Sequence, residues 1–591
     1  MAALTAPPAP TGATGTIARP ARRRALPAGW VRAIMVTVVL VVLAYLVLGP
    51  LLLLFVTSVR TPQLLPFDPG ATWTWESYVE VLGNPRLYEL LGNTIGISAG
   101  SMTVAFVLSV ALAWLVERTD LPRPDLAAVL IVLGMGLPGF ISGISWVVLA
   151  NPTNGLLNEV LRLLPGVSGD DGPLNVFSAA GFVLVQGITF VPATFLLVAA
   201  AFRAMDVRME EAATMSGART WTTLRRITLP VLTPALVGAF IYMFITVIES
   251  FDVPLTIGIR SGIGVFSSEV YLNLHPAVGF PDYSRASVHG VALLLLGLAP
   301  LWYYNRVLRR AEQFATISAR SVQRRRIALG RWRWVAAAVV GLYVLVSLVL
   351  PALVMLWTSI QPFYALPSAE SFARIRFDAY ADILASPGFR DALRNTAIVA
   401  VVAPLLAMTL ALFTSWIVVR TTSRGRTLVD ALAFMPHVIP TPVLALALLV
   451  IYLTLPVPVY GTVWILVIAI MTRYIGLSTR LMNAGVTSVQ RELEEAALMS
   501  GASAFTTMRR IVLPLVLPSY VNGLVMVALL AVQQLAMPLI LASSSNTVLA
   551  TLVWGRWSSG DTGPATALGV LVLALSLVIA VVGRRLGALR D

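Results

Sequence analysis

Twelve long apolar runs dominate this sequence and restrict the folds that are open to it. A helix needs about 20 apolar residues to cross a bilayer, and each run is close to that length or longer. The runs form two sets of six, at about 34–59, 91–116, 126–149, 177–201, 231–256 and 287–308, and then at about 335–358, 395–419, 428–454, 460–479, 515–541 and 565–583. The tenth run is the least regular, because Arg473 and Arg480 lie near its end. The pattern predicts an all-α polytopic membrane protein with twelve transmembrane helices.

Missing residue types narrow the chemistry that this chain can perform. Only 12% of the residues are charged and 58% are hydrophobic, whereas a soluble domain has about 25% charged residues. The 591 residues include no cysteine and no lysine, so all 42 basic residues are arginine. The chain therefore lacks disulfides and thiolate metal sites, a P-loop lysine and a Schiff-base lysine. We expect no cofactor and no ATPase activity in this chain, and any ATP that drives it is hydrolysed by another subunit.

The arginines are distributed unevenly between the two sides of the membrane. With a cytoplasmic N-terminus, the outer segments hold ten of the 42 arginines, namely Arg60, Arg86, Arg162, Arg260, Arg285, Arg374, Arg376, Arg390, Arg394 and Arg556. Inner segments carry clusters at 22–24, 309–310, 324–326 and 584–585. This positive-inside pattern predicts a multi-pass membrane protein with both termini in the cytoplasm. The net charge of +14 then reflects topology and contact with anionic lipid, and no nucleic-acid partner is expected.

An internal repeat divides the chain into two units. Residues 210–230 read EEAATMSGARTWTTLRRITLP, and residues 494–514 read EEAALMSGASAFTTMRRIVLP, without a gap. Since both copies carry six runs, they insert in the same orientation and are related by an axis along the membrane normal. The predicted organisation is a disordered cytoplasmic tail over 1–30, a first transmembrane unit over 31–310, an arginine-rich cytoplasmic linker over 311–334 and a second transmembrane unit over 335–591.

Weaker landmarks extend the repeat beyond this segment. The proposed counterparts are Asn93 and Asn395, Pro138 and Pro436, and Pro254 and Pro538. The prolines of the last pair are expected to end the fifth and eleventh spans. A longer outer loop in the first unit, at about 150–176, accounts for most of the change in spacing between the copies. A path for a transported molecule is expected along the axis between the units.

The repeated segment lies between the fourth and fifth runs of each unit, on the predicted cytoplasmic side. We expect a short helix, a turn at Gly217 or Gly501 in the left-handed conformation, and a second helix. The alanines offer a flat face for close approach, and a glutamate can pair with a base on a partner. The candidate coupling residues are Glu210, Glu211, Ala212, Ala213, Gly217, Glu494, Glu495, Ala496, Ala497 and Gly501. The alternative is an amphipathic helix on the membrane surface, which does not explain why both copies keep the sequence.

The pattern E-A-A-x-x-x-G-x₉-I-x-L-P resembles the coupling motif of importer-type ABC transporter permeases. It is matched at Glu211, Ala212, Ala213, Gly217, Ile227, Leu229 and Pro230, and again at Glu495, Ala496, Ala497, Gly501, Ile511, Leu513 and Pro514. The resemblance implies two tandem six-helix permease units of the type I fold in a bacterial inner membrane. It also implies two copies of an ABC ATPase subunit docked at the cytoplasmic face, and an extracytoplasmic substrate-binding protein.

Polar residues within or beside the runs are candidates for the translocation path, because ionisable groups inside a membrane are by default functional. The candidates are Glu249, Asp252, Gln186, Gln533, Glu269 and Tyr271. The acids Glu249 and Asp252 have no acidic counterpart in the second unit. They can attract a cation, or alternatively cap a helix or pair with Arg260. Gln186 either faces the path or forms a hydrogen bond between helices.

The histidines do not form a recognisable metal set. His275, His289 and His437 are the three histidines of the chain, and their spacing is not that of metal ligands. We expect structural or gating roles for them, and the existence of a metal site stays open.

Three stretches are similar to the ferric-iron importer permease family. They are 151–158, which reads NPTNGLLN, 249–258, which reads ESFDVPLTIG, and 265–272, which reads VFSSEVYL. The resemblance implies that a binding protein delivers Fe³⁺, free or chelated, and docks on outer loops such as 60–90, 150–176, 258–285 and 360–394. Fused relatives that import thiamine, and split relatives that move polyamines or phosphonates, leave those substrates open.

Other function classes fit the sequence less well. An ion-driven secondary transporter needs no cytoplasmic docking motif and is expected to carry more acids within its membrane helices. A membrane enzyme needs convergent His, Asp or Glu residues in a pocket, which three scattered histidines do not supply. A passive scaffold does not account for the duplicated segment.

Overall fold

The computed structural model describes residues 28–165, 172–311, 326–421 and 425–585. Over these ranges the chain is helical and forms no β-sheet, with isolated bridges at Arg60–Trp73 and Thr119–Ile327. The prediction of an all-α polytopic fold is confirmed. The predicted tail lies outside the described residues up to residue 27, and the predicted linker does so over 312–325.

The first unit runs from α1 to α13. Its helices are α1 (Ala28–Ser58), α2 (Glu76–Gly83), α3 (Arg86–Arg118), α4 (Pro124–Leu133), α5 (Gly139–Ala150), α6 (Leu156–Arg162), α7 (Ala179–Ala204), α8 (Arg208–Met215), α9 (Thr220–Thr223), α10 (Leu229–Ile248), α11 (Ile259–Ser261), α12 (Phe266–Leu274) and α13 (Tyr283–Ala311). A 3₁₀ turn, Gly134–Gly136, and two π-helical turns, Leu224–Thr228 and Pro254–Gly258, complete the unit.

The second unit begins with α14, whose first residue lies inside the predicted linker. Its helices are α14 (Trp332–Val344), α15 (Leu350–Ser359), α16 (Ala369–Ala373), α17 (Asp378–Ala385), α18 (Pro387–Arg420), α19 (Arg426–Val438), α20 (Thr441–Thr454), α21 (Val463–Ser488), α22 (Arg491–Met499), α23 (Ala504–Thr507), α24 (Leu513–Gln533), α25 (Ala536–Ile540), α26 (Leu549–Ser558) and α27 (Thr562–Arg585). Two π-helical turns, Leu345–Val349 and Met508–Val512, lie within the first span and before α24.

Ten helical segments of the described chain are long and apolar enough to cross a membrane. Two bent pairs add to them. Pro124–Gly136 meets Gly139–Ala150 at 93°, and Arg426–Val438 meets Thr441–Thr454 at 107°. If each bent pair is one span, the total is the predicted twelve. The third and ninth spans are therefore not continuous helices, which the apolar runs alone did not indicate.

A proline stands at each bend. Pro138 precedes α5 and Pro440 precedes α20, with ψ angles of 140° and 136°. Proline lacks a backbone N–H and disfavours a helical conformation in the residue before it, so the chain turns sharply at both places. Pro436 lies inside α19. The counterpart of Pro138 is therefore Pro440, and the sequence-based pairing with Pro436 is wrong.

The fifth and eleventh spans end earlier than the apolar runs. α10 ends at Ile248 and α24 at Gln533. Pro254 and Pro538 consequently lie in the short helical segments that follow, rather than at the end of a span. These short segments lead through α11 and α12, or through α25 and α26, into the last span of each unit.

The first span of each unit, formed by α1 or by α14 and α15, packs on the other unit. α1 packs against α19 and α20 as well as α13, and α15 packs against α5 as well as α27. Leu43 of α1 is fully buried in a cluster with Met408 and Ile475 of the second unit. Tyr343 of α14 lies in the equivalent cluster with Phe202 of the first unit. Since lipid is as apolar as these side chains, it is close packing that joins the units.

Co-expression of the two units as separate chains, split within 312–325, is expected to give a complex that survives mild detergent. The exchanged packing of α1 and α15 holds the units together without the covalent link. The yield of co-purified second unit measures this. A first unit that begins after Ser58, and so lacks α1, is the control and should recover much less. Equal recovery with and without α1 would show that the exchanged helix contributes nothing.

Candidate functional site

The repeated segment forms the same helix and turn in both units. α8 leads into Gly217 with a φ of 81°, and α22 leads into Gly501 with a φ of 83°. In the first unit the amide of Ala218 donates a 3.0 Å hydrogen bond to the carbonyl of Ala213, which closes the helix. An added Cβ at either glycine would meet nothing within 4 Å, so glycine is needed for its backbone freedom. The left-handed glycines predicted from the sequence are confirmed.

We call α8 and α22 the repeat helices. One side of each repeat helix faces away from the rest of the protein. Met215 and Met499, in the last turns, are 86% and 90% exposed. Ala212 and Ala496 are exposed beside them. Each repeat helix thus presents a surface of small and apolar side chains.

The first glutamate of each repeat helix points inward. Glu210 Oε2 lies 3.4 Å from Arg118 Nε, and Glu494 Oε1 lies 2.8 Å from Arg420 Nε. Both carboxylates are buried. An arginine of the same chain therefore already occupies these two glutamates. The predicted pairing with a base on a partner therefore stays a prediction for the glutamates that follow, Glu211 and Glu495. Glu495 Oε1 also lies 3.3 Å from Arg491 Nε of its own helix.

A π-helical turn joins each repeat helix to the next span. The turns cover Leu224–Thr228 and Met508–Val512, and Pro230 and Pro514 follow as second residues of α10 and α24. Because proline has no N–H to give to the preceding turn, the wider turn accommodates the missing bond. Such π-turns are frequent at functional sites.

A charge pair joins the two units inside the membrane region. Glu249 directly follows α10, and its Oε1 lies 2.6 Å from Nη2 of Arg473 in α21. Nη1 of Arg473 donates to the carbonyls of Pro436 at 3.1 Å and Ile439 at 2.9 Å. These carbonyls are free because α19 stops at the bend. Arg473 thus donates hydrogen bonds to the carbonyls at the end of α19 in its own unit and pairs with the Glu249 carboxylate of the other unit.

Both acids sit at the start of a helix that resumes after a bend. Glu249 accepts a hydrogen bond from the amide of Thr441, the first residue of α20. Asp252 accepts one from the amide of Phe140, in the first turn of α5. The helix dipole favours negative charge at these ends. A Cβ added at Gly139 would lie 2.8 Å from Asp252 Oδ2, so this close approach requires glycine.

The second unit places an amide where the first has Glu249. Gln533 Nε2 donates at 3.4 Å to the carbonyl of Gly136, beside the first bend. The residue that ends or directly follows each fifth span therefore reaches the bend of the opposite unit. Two further polar contacts lie nearby, from Gln534 Nε2 to the Tyr474 hydroxyl at 3.4 Å and from the Tyr242 hydroxyl to His437 Nε2 at 2.7 Å. We call this set the central cluster: Tyr242, Glu249, Asp252, His437, Arg473, Tyr474, Gln533 and Gln534.

The duplicated architecture matches a known family. The family described as binding-protein-dependent transport system inner membrane component matches residues 109–313 and 403–588. The chain belongs to this family. One match lies in each unit and each includes a repeat helix, so the protein is a fused two-copy permease.

Three relatives illustrate the range of similar permeases. The permease is 24% identical over 525 residues to the ferric transport system permease protein FbpB of Actinobacillus pleuropneumoniae, a match that covers 87% of this chain and 73% of that protein. It is 25% identical to the probable ABC transporter permease protein y4fN of Sinorhizobium fredii, with coverage of 93% and 95%. The probable sulfate transport system permease protein cysT of Nephroselmis olivacea is 28% identical over 274 residues, which are 44% of this chain and 91% of that protein.

Two sequence interpretations are resolved by contacts within the permease. Gln186 is buried in α7, and its Nε2 donates at 3.4 Å to the carbonyl of Val247 in α10. The hydrogen bond between helices is therefore the observed arrangement. Arg260, the alternative partner for the two acids, instead lies with its guanidinium 4.9 Å from the ring centre of Trp557. The partners of Glu249 and Asp252 are therefore helix N-termini and, for Glu249, also Arg473.

Glu269 and Tyr271 lie on α12, on the predicted outer side. Glu269 pairs with Arg86 at 3.0 Å, in a polar pocket that His289 also lines. Tyr271 stacks on His275 with ring centres 4.4 Å apart. Of the six residues predicted for the path, the structure brings together Glu249, Asp252 and Gln533 in the central cluster.

Five residues of the central cluster are not among the predicted path residues: Tyr242, His437, Arg473, Tyr474 and Gln534. Arg473 is the one of them that pairs with Glu249. The apolar run puts Arg473 near its end, but α21 continues to Ser488, so Arg473 lies near the middle of a spanning helix. A charged residue within an apolar run was the signal that pointed to it. Tyr474 and Thr441 carry no comparable signal. Over the described ranges, no three His, Asp or Glu side chains converge in a way that could hold a metal ion.

The loop at 150–176, which is predicted to be an outer loop, contacts both units over its described part. Buried Asn158 donates through Nδ2 to the carbonyls of Asn151 at 2.8 Å and Leu174 at 2.7 Å. Tyr364 of the second unit donates to the carbonyl of Asn154 at 2.5 Å. Burial, with a smaller contribution from Glu159, raises the pKa of Tyr364 to about 12. Its hydroxyl therefore stays protonated, and remains a donor, well above neutral pH.

Loss of the central charge pair is expected to destabilise the permease. Glu249→Gln leaves Arg473 buried without a counter-charge, and removing one partner of a buried pair costs about 3–5 kcal/mol. Thermal unfolding in detergent should show a lower Tm, partly restored in the double variant with Arg473→Met. Gln533→Ala, at the equivalent place in the other unit, is the uncharged control and should change the Tm less. A Tm for Glu249→Gln equal to that of the wild type would show that the pair carries no stability.

Proposed function

We propose that the permease forms the membrane pathway of an ATP-driven importer and that two copies of an ATPase subunit dock on its repeat helices. The observation that carries this proposal is the duplicated docking geometry. Each repeat helix ends at a left-handed glycine and exposes a methionine and an alanine. Two matching surfaces suit two identical partners, and their small side chains permit close approach. Under this proposal the permease itself hydrolyses no ATP and needs no cofactor.

The distribution of arginine supports a cytoplasmic position for the repeat helices. The arginine pairs at 225–226 and 509–510 are exposed next to them, and Arg584 and Arg585 end α27 on the same side. The positive-inside rule places such clusters in the cytoplasm, together with both termini. The opposite side, with α12, α26 and the loop at 150–176, then faces the binding protein.

The docking surface and the central cluster are connected by the fifth span of each unit. α10 and α24 begin at the π-turns beside the repeat helices and lead to Glu249 and Gln533. If ATP draws the two ATPase subunits together, the repeat helices follow, and rigid spans carry the movement to the middle of the membrane. Separation of Glu249 from Arg473 then opens the central cluster, which gives alternating access.

Ferric iron, free or chelated, is the cargo that we propose for this importer. Two points support it. The relative from Actinobacillus pleuropneumoniae is named as a ferric transport permease. The central cluster also contains two carboxylates and one arginine, a balance that favours a cation over an anion. Thiamine, polyamines and phosphonates remain alternatives within the same importer class, because the binding protein selects the ligand.

A secondary transporter driven by an ion gradient is the alternative from a different class. It would not need two equivalent cytoplasmic docking surfaces. Uptake that resists vanadate and proceeds without any ATPase subunit would favour it over the importer.

Bulky residues at the repeat-helix glycines should uncouple ATP hydrolysis from transport. Gly217→Trp and Gly501→Trp strain a positive φ that side chains avoid and place a large ring on the docking surface. We expect each to lower uptake at least about tenfold, on the scale of a coupling free energy, in proteoliposomes with the ATPase subunit. Gly560→Trp is the matched control, because Gly560 has the same φ of 83° as Gly501 but lies on the outer side. Normal uptake in both repeat-helix variants would remove the docking assignment.

The cargo is tested by stimulation of ATP turnover. The permease, reconstituted with the ATPase subunit, is mixed in turn with ferric-, thiamine-, polyamine- or phosphonate-loaded binding protein. We expect the ferric-loaded protein alone to raise ATP turnover, because only the cognate complex closes on the outer face. Each unloaded binding protein is the control. Stimulation by another loaded protein, with none by the ferric one, would overturn the cargo and leave the importer class intact.

A further inference from the structure

Arg118 and Arg420 occupy equivalent places in the two units. Arg118 is the last residue of α3 and Arg420 the last residue of α18. Both side chains are at least nine-tenths buried. Burying a guanidinium costs free energy unless its N–H groups have hydrogen-bond partners. The partners of these two arginines therefore show which parts of the chain the arginines connect.

Each arginine binds the end of a second spanning helix. Arg118 Nη2 donates to the carbonyls of Phe202 at 2.9 Å and Met205 at 3.4 Å, where α7 ends. Arg420 Nη2 donates to the carbonyl of Val486 at 2.9 Å, where α21 ends, and to that of Val489. The last carbonyls of a helix have no partner within the helix. The arginines supply that partner and fix α3 to α7 and α18 to α21.

The same arginines reach the repeat helices. The Nε atoms of Arg118 and Arg420 lie 3.4 Å and 2.8 Å from the buried carboxylates of Glu210 and Glu494. In the first unit Glu210 also accepts a 2.6 Å hydrogen bond from Thr228, in the π-turn that leads to α10. We call Arg118 with Glu210, and Arg420 with Glu494, the anchor pairs. Each anchor pair joins the repeat helix to two spanning helices at one point.

We propose that the two anchor pairs transmit the movement of the repeat helices to the membrane helices. The inference rests on the proposed function, and it assigns Arg118, Glu210, Arg420 and Glu494 as positioning residues for coupling. Breaking a buried ion pair leaves an uncompensated charge, so each repeat helix moves together with the spans rather than bending away from them. The two adjacent glutamates of each repeat helix have different roles in this proposal. The first, Glu210 or Glu494, connects the repeat helix to the spanning helices, and the second, Glu211 or Glu495, faces the ATPase subunit.

The two anchor pairs differ in strength. Glu210 has Thr228 as an additional partner, whereas the equivalent position in the second unit is Val512, which has no hydroxyl. The ion pair is also shorter in the second unit, at 2.8 Å against 3.4 Å. The second unit therefore depends more on its ion pair. Neutralising Glu494 is expected to uncouple more strongly than neutralising Glu210.

The test measures cargo transported per ATP hydrolysed in proteoliposomes that contain permease, ATPase subunit and loaded binding protein. In Glu210→Gln with Glu494→Gln, the arginines keep their hydrogen bonds to the helix ends and lose the ion pairs. We expect the ATPase subunit to co-purify and to hydrolyse ATP, while transport per ATP falls about tenfold, the scale of a coupling between sites. Among the single variants, Glu494→Gln should fall further than Glu210→Gln. Glu211→Gln with Glu495→Gln is the matched control, expected to weaken capture of the ATPase subunit with transport per ATP preserved in the complexes that form.

Distance measurements separate transmission from misfolding. The natural chain has no cysteine, so spin labels can be placed freely. Labels at the exposed residues Met215 and Met499 follow the repeat helices. Labels at the exposed loop residues Val278, before α13, and Val457, after α20, follow the outer ends of these helices. In the otherwise unsubstituted chain, ATP should change both distances. In the double glutamine variant, ATP should change the inner distance and leave the outer one as it is without ATP.

The outcomes distinguish this inference from the proposed function. If the double variant keeps wild-type transport per ATP, or its outer distance still responds to ATP, the anchor pairs do not transmit movement. If the unsubstituted permease fails to capture the ATPase subunit, it is the proposed function that fails. Should the double variant not fold, the single variants decide in the same way, because each keeps one anchor pair.

Discussion

A backbone polar group without a partner is costly inside lipid, and this permease breaks two of its spanning helices there. Pro138 and Pro440 end the first half of each bent span, which leaves carbonyls on one side of the bend and amides on the other. The chain satisfies these groups with side chains from several helices. Arg473 takes the free carbonyls of α19, while Glu249 and Asp252 take the amides of α20 and α5. Glu249 of the first unit thereby reaches the bend of the second unit.

The two units have matching repeat helices but differ in the residues of the central cluster. At the repeat helices, both copies have a left-handed glycine, an exposed methionine and a buried glutamate bound by an arginine. At the central cluster, Glu249 corresponds to Gln533, so the contact to the opposite unit is a charge pair from Glu249 and an uncharged hydrogen bond from Gln533. Under the proposed function, the matching repeat helices suit two identical ATPase subunits. The proposed central pathway has no such need for symmetry.

The sequence predicted the parts of this structure that depend on local pattern. Apolar runs located the spans, the repeat located the two units, and the glycines at 217 and 501 marked turns with positive φ. Features that depend on where helices meet were not predictable in this way. The apolar run puts Arg473 near its end, and the sequence does not show its pairing with Glu249, which is 224 residues away. Arg118 and Arg420 looked like ordinary positive-inside arginines, and only the fold shows that they bind Glu210 and Glu494.

Hydrogen exchange of the permease with and without its ATPase subunit tests the central claim most directly. Docking from the cytoplasm should protect the backbone amides of α8 and α22, through the turns at Gly217 and Gly501, from exchange. The outer helices α12 and α26 should exchange at unchanged rates. Protection that appears on α12 and α26, or on neither pair of helices, would contradict an importer driven through its repeat helices.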